Sequence, residues 1–176
     1  NTSFMAASSA LQTFQDETLL LKLEDQEHPY RRRQGEIKTA VMWSQRNLGC
    51  SLIQFLTLYW NPSQVSNPIV VYVGSAPGLT IPLISDLLPE ITFHLYDPKP
   101  FGIKGSDKIR IHTGKQGWFN DTTARQWSNN QNVFFVSDIR NVDFGKVTGF
   151  KLEEAIQKDM ELQKRWYLII NPVKSM

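Results

Sequence analysis

The sequence predicts an α/β fold with a doubly wound, mostly parallel sheet, and three observations predict it. The first is a buried-strand run, Ile69-Val70-Val71-Tyr72-Val73, followed at once by the turn Gly74-Ser75-Ala76-Pro77-Gly78 and a segment of helical spacing. The second is that four more apolar runs follow, at residues 91–96, 108–113, 132–138 and 166–170, with helical segments interleaved. The third is that two of these runs end on a carboxylate, Asp97 and Asp138, which puts both at the carboxyl edge where such sheets bind ligands.

In chain order, residues 1–13 are small and polar and read as a loose arm. Leu19 to Leu23 is a short apolar cluster, followed by acidic residues, a break at His28-Pro29-Tyr30 and the basic triplet Arg31-Arg32-Arg33. The triplet reads as a solvated face or as a contact for an RNA phosphate. Residues 1–33 are therefore expected to form an arm and lead-in, and residues 34–176 one α/β domain. From Gln34 to about Tyr59 the apolar spacing predicts a helix or a broken pair, with Gly49 in its middle. After the first strand and its turn, Leu79, Ile81, Leu83, Ile84, Leu87 and Leu88 are expected to line one side of a helix. The segment Pro98-Lys99-Pro100-Phe101-Gly102 can only be an irregular loop. Asp121 to Trp127 predicts a short helix, residues 150–165 a longer amphipathic one, and Trp166-Tyr167-Leu168-Ile169-Ile170 the fifth strand. Trp118 and Phe119, after the third strand, stand either near a bound adenine or in the core.

Length and composition set outer bounds. With 176 residues, 41% hydrophobic, one domain with a substantial core is expected. Net charge is only +2, so any nucleic-acid surface must come from local clustering. The single Cys50 excludes an internal disulfide framework and a cysteine-cluster zinc site, and no metal site is expected. Neither a membrane-spanning run nor a signal peptide is evident in these residues, and a cytosolic setting is expected. The glycosylation-like triplets at Asn1 and Asn120 are read as chance. The opening on Asn and the end shortly after an apolar run suggest part of a longer protein.

The turn narrows the ligand. Gly74 and Gly78 let backbone approach a ligand closely, and Asp97 at the next strand tip can accept from ribose hydroxyls. The spacing is G-x-x-x-G, not the dinucleotide G-x-G-x-x-G. Pro77 removes a backbone donor, and no Walker lysine follows. These features suit a nucleoside without phosphates, and S-adenosylmethionine fits best, ahead of NAD or a ligand-free structural turn. Methyl transfer to a ribose hydroxyl needs a lysine of lowered pKa steered by a carboxylate, and Lys38 with Asp138 is a candidate pair. A helical lysine is, however, ordinarily a solvent-facing residue.

Four blocks carry a resemblance: Gln34-Gly35-Glu36-Ile37-Lys38, Val71-Tyr72-Val73-Gly74-Ser75-Ala76-Pro77-Gly78, Val136-Ser137-Asp138-Ile139-Arg140 and Ile170-Asn171-Pro172-Val173. In order and approximate spacing they resemble the poxvirus cap-specific mRNA (nucleoside-2′-O-)-methyltransferases, which are also regulatory small subunits of a poly(A) polymerase. The resemblance covers about residues 34–173. It implies a Rossmann-like S-adenosylmethionine-dependent methyltransferase fold whose last strands are missing from this chain. It also implies methylation of the first transcribed nucleotide of capped mRNA. The expected partners are that mRNA and a polymerase catalytic subunit, at a cytoplasmic viral replication site or in the virion.

By the same resemblance Lys38 and Asp138 take two places of a Lys-Asp-Lys-Glu tetrad. Glu36, Tyr72, Gly74, Ser75, Ala76, Gly78, Asp97, Lys99, Phe119, Asp138 and Arg140 fall at cofactor-binding positions. Lys99 stands where the family has arginine and Glu36 where it has glutamine. The family's second lysine lies five residues after the valine of Asn-Pro-Val, past Met176, and Lys174 is not a substitute for it. The final glutamate is missing too, so this segment alone is expected to bind the cofactor without turnover. Two other functions remain: a ribose 2′-O-methyltransferase of ribosomal or transfer RNA, and a non-catalytic processivity subunit that keeps the fold. A dehydrogenase fits least, because the glycine spacing is wrong.

Overall fold

The computed structural model describes residues 43–141 and 149–176, all within a compact unit running from Lys38 to Met176. Glu36, Lys38, the basic triplet and the boundary expected at residues 33/34 lie outside the described residues. Among them the chain order is α1 (Trp43–Tyr59), β1 (Ile69–Val73), α2 (Ile81–Leu87), β2 (Thr92–Tyr96), β3 (Ile109–His112), a 3-10 turn (Gly114–Gly117), α3 (Asp121–Gln126), β4 (Val133–Ser137), α4 (Phe150–Ile170) and β5 (Lys174–Ser175).

The strands form one sheet in the order β3-β2-β1-β4-β5, every pair parallel. Parallel strands need helical crossovers, and these bury both faces of the sheet, which is why β1 and β4 read as unbroken apolar runs. On one face Val70, Tyr72, Phe93, Leu95, Phe134 and Val136 meet Leu52, Phe55 and Leu56 of α1 and Ile81 and Ile84 of α2. On the other, Val71, Val73, Tyr96 and Phe135 meet Phe119, Ala124 of α3, and Trp166 and Ile170 of α4. The predicted doubly wound α/β arrangement is present, and the order of strands reverses between β1 and β4.

Two local expectations are corrected. Residues 166–170 are not the fifth strand but the last turns of α4. Trp166 and Ile170 are buried four residues apart, the helical spacing, on the face that already buries Asp159. The helix stops where Asn171 turns left-handed (φ 49°, ψ 60°) and its N–H bonds back to the carbonyl of Tyr167, with Pro172 next. The fifth strand is only Lys174–Ser175, paired with Phe134 and Phe135. Of the six leucines and isoleucines expected on one side of a helix, four lie in α2, with Leu79 before it and Leu88 at its C-cap. Ile81 and Ile84 are buried, while Leu79, Leu83 and Leu87 are exposed.

Asn120 has a local task. Its side-chain oxygen accepts from the N–H groups of Thr122 and Thr123 and caps α3. No described helix is long and apolar enough to cross a membrane.

Between β2, β3 and α3 lies a stack of polar rings. His94 Nδ1 and His112 Nε2 are 3.3 Å apart, His112 lies flat on Tyr96, and Trp127 meets His94 edge-on and donates to the Tyr96 hydroxyl. Burial, with His112 and Arg110 adjacent, pushes His94 down to about 4, and burial also lowers His112. A folded pKa below the unfolded value of about 6.5 means that this stabilisation is complete above pH 6.5. It is lost as pH falls towards 4, because the unfolded chain takes up the proton first. Between pH 6.5 and 5, before most carboxylates titrate, stability is expected to drop by about 1–2 kcal/mol, allowing for the partial exposure of His94. Thermal melts across that range should show the slope, and His94→Phe should flatten it; an unchanged slope would refute the assignment.

Candidate functional site

Strand order reverses between β1 and β4, the point at whose carboxyl ends open α/β sheets hold ligands, and the site residues expected there can be placed one by one. β1 ends at Val73, and Gly74 turns away with φ +78°. A Cβ at Gly74 would lie 2.5 Å from the carbonyl oxygen of Asp138 and 2.7 Å from its carbon. The backbone leaving β1 is thus packed directly on the backbone leaving β4. The Asp138 N–H donates to Val73 O at 2.9 Å, and the Gly74 N–H donates to Tyr96 O at 2.8 Å, so three strand ends are tied into one rim.

Asp97 continues the rim at the end of β2. Its side chain is an anchor within the protein: one carboxylate oxygen accepts from the Ala76 N–H (3.1 Å) and the other from the Lys99 N–H (2.9 Å). The residue is only 8% exposed. The expected ribose acceptor therefore holds the glycine turn against the loop after β2, and has only its second lone pairs left for a ligand. On its far side a Cβ at Gly117 would collide with the Asp97 carbonyl oxygen, so the loop after β3 also closes on this residue.

Gly74, Ser75, Ala76, Gly78, Asp97, Lys99, Asp138 and Arg140 all belong to loops at the carboxyl end of the sheet, and Tyr72 reaches it from the last turn of β1. Phe119 does not. It is 7% exposed, with Tyr96, Trp166 and Phe135 around its ring, so of the two alternatives it takes the core. Its neighbour Trp118 is 59% exposed, directly after the glycine that abuts Asp97.

The electrostatics centre on Asp138. Arg140 approaches it with two nitrogens, Nη2 at 3.2 Å and Nε at 3.3 Å. Burial, reinforced by the Asp138 charge and opposed by Arg140, pushes the Tyr72 phenol up to about 12, so Tyr72 stays a neutral donor. Lys174 is far from this group. It pairs with Phe134 near the start of β4, and its Nζ lies 5.3 Å from the centre of the Tyr59 ring at the end of α1.

Three features carried no signal that sequence reasoning used. The hydroxyls of Ser75 and Ser137 are buried at the rim without a partner. A cavity of about 10 Å³ lies beneath the turn, between Gln45, Leu48, Gly49, Tyr72, Ser75 and Thr80, and has room for roughly one water. The cavity is too small for a nucleoside. The third feature is Asp159, buried on α4. One of its oxygens accepts from the Asn141 N–H (2.9 Å) and the other from the Asn141 side-chain amide (2.6 Å). The tripeptide Asp138-Ile139-Arg140 is thereby held at both ends, by Val73 and by Asp159.

No protein-family model and no curated protein matches this chain. Among the described residues no group of three or more His, Cys, Asp or Glu is placed to hold a metal ion. Glu36 and Lys38 lie outside the described residues.

Two variants test this construction. Gly74→Ala adds a Cβ at positive φ against backbone and should cost about 2–4 kcal/mol in chemical denaturation. Asp159→Ala removes two hydrogen bonds to Asn141, whose donors water can then reach, and should cost about 0.5–1.5 kcal/mol, with faster hydrogen exchange at the Asn141 amide. Wild-type exchange at that amide would remove the clamp.

Proposed function

We propose that this domain binds S-adenosylmethionine at the crevice between β1 and β4. With the resemblance to the poxvirus enzymes, we further propose that it methylates the 2′-hydroxyl of the first transcribed nucleotide of capped mRNA. The observation that carries the reading is the convergence of Gly74, Asp97 and Asp138 on one rim at the point where strand order reverses. A glycine corner without a phosphate-binding lysine suits an adenosine that bears no phosphate.

The residues present fit such a cofactor. The loops after β1 and β4 present their backbone at the rim, and Asp138, about a quarter exposed, supplies a carboxylate there. When bound, the cofactor supplies an electrophilic methyl group on a cationic sulfur. Asp138 favours that positive charge and orients donors around it. Tyr72, fixed as a neutral phenol, donates a hydrogen bond without competing for the proton of the acceptor. Lys38 is proposed as the lysine that Asp138 steers towards the ribose hydroxyl.

One observation favours a second reading. Among the described residues the cation at Asp138 is Arg140, while Lys174 sits near the other end of β4. Arginine does not give up its proton, so it cannot activate a hydroxyl as a base. A domain that held the cofactor beside Asp138 with arginine as the sole cation there would bind it without turnover, as a regulatory subunit of a polymerase would.

Isothermal titration with S-adenosylmethionine, and incubation with labelled cofactor and capped or uncapped RNA, separate the readings. Binding is expected for the wild type, and Asp97→Ala should weaken it at least tenfold; unchanged affinity would refute the rim site. Asp138→Ala should lower methyl transfer by roughly 10²–10⁴ if the complete protein is active. Transfer only to uncapped RNA would point to a ribosomal or transfer RNA enzyme, and binding without transfer to the regulatory reading.

A further inference from the structure

The chain carries a net charge of only +2, yet its positive charge is not evenly spread. Residues 98–117 hold Lys99, Lys104, Lys108, Arg110 and Lys115 against the single Asp107, a net +4, so the remaining residues sum to −2. All five cations are exposed. They also form one strip rather than a scattered set. Among the described strands β3 is at the edge, paired only with β2. Arg110 lies on β3, paired with His94 of β2, and Lys108 immediately precedes the strand with its Nζ donating to the Glu90 carbonyl at 3.5 Å. The loop that precedes β3 is tied to that strand: Ser106 and Ile109 exchange backbone hydrogen bonds, and Gly105 abuts the Ile109 carbonyl, which brings Lys104 alongside. At the rim end the Thr113 hydroxyl donates to the Lys99 carbonyl at 2.9 Å, which brings Lys99 and Lys115 together. Trp118, with its exposed indole, follows directly.

We propose that this strip along the outer edge of β3 binds the phosphates of single-stranded RNA, continuing from the rim down the side of the sheet. A run of exposed cations on and beside an edge strand suits a single-stranded phosphate backbone, and an exposed indole at the upper end offers a surface on which a base can stack. Lysines on an edge strand also discourage edge-to-edge pairing. That task accounts for Arg110 and, beside the strand, Lys108, but leaves Lys99 and Lys104 in loops and Lys115 in the 3-10 turn unexplained. The strip deepens the RNA-methyltransferase reading and rests on it for the choice of RNA over another polyanion. It gives that enzyme a hold on its substrate outside the crevice.

The test is fluorescence anisotropy of the whole chain with an uncapped single-stranded RNA of about a dozen nucleotides, over a series of salt concentrations. Lys108→Glu/Arg110→Glu should weaken binding roughly tenfold or more and reduce the salt slope by about 1.4, two contacts at 0.7 each. Lys108→Gln/Arg110→Gln should show a smaller loss of the same kind, and Lys151→Glu/Lys164→Glu on α4 should stay within about twofold. Equal losses in the two charge-reversed proteins, no loss in either, or no binding by the wild type would overturn the proposal. So would tighter binding of a poly-glutamate peptide than of RNA, which would assign the strip to an acidic protein. Cofactor titration of the same samples keeps the two ideas apart. A strip effect without S-adenosylmethionine binding would sustain the strip and end the methyltransferase reading, and the reverse result would do the opposite.

Discussion

Everything at the carboxyl end of this sheet depends on one steric fact: Gly74 has no Cβ, so the chain leaving β1 lies flat against the carbonyl of Asp138 as the chain leaves β4. Two parallel neighbours that diverge to opposite faces ordinarily leave a gap at their tips, and side chains or a ligand fill it. Here the gap is closed at its base by backbone on backbone, and the room that remains lies above it. Gly117 against Asp97 repeats the device two strands away. Close backbone packing leaves little freedom to the loops that follow, so Asp138, Asp97 and the turn after Gly74 sit on a platform that the sheet itself fixes.

Carboxylates reinforce that platform rather than merely decorate it. Asp97 joins the turn after β1 to the loop after β2, and Asp159 reaches from α4 to secure Asn141. Each accepts from partly buried N–H groups and so ties one loop to another. Asp138 differs: its charge faces Arg140 at the surface, its side chain is about a quarter exposed, and no described backbone donor occupies it. Of the rim carboxylates it is the one with capacity left for chemistry, whereas Asp97 is largely committed to holding the loops.

How much of this the residues disclosed follows from the range of the forces involved. β1, its glycine turn and the strands ending at Asp97 and Asp138 were legible because strand burial and turn chemistry are local. The end of α4 was not. Trp166 to Ile170 is rich in β-branched and aromatic residues and reads as a strand, but its context is a helix already propagating from Phe150, whose buried face Trp166 and Ile170 extend. The role of Asp97 was half legible: its position followed from topology, while its two backbone partners arise from loops that only the folded chain brings together. Asp159 and Asn141 are eighteen residues apart with no periodic or motif signal, so nothing short of the fold reveals the pair. The glycine-spacing argument for the ligand and the resemblance of the four blocks concern chemistry, on which the fold bears only through where it places the residues.

The register of β5 gives the functional question its geometric form. Lys174 pairs with Phe134, and both strands run towards the rim, so a position level with Asp138 comes four residues after Lys174. The proposed mechanism needs a second lysine beside Asp138, and the resemblance puts one five residues after Val173. If the β5–β4 pairing continued past Ser175 in the same register, that position would come level with Asp138. A lysine there would share Asp138 with Arg140, in a place where a nearby guanidinium favours the neutral amine over the ammonium. The arginine would then act by lowering the proton affinity of a lysine beside it rather than by taking a proton itself. That assignment lets the methyl-transfer reading accommodate the Arg140–Asp138 pair, which otherwise speaks for binding alone.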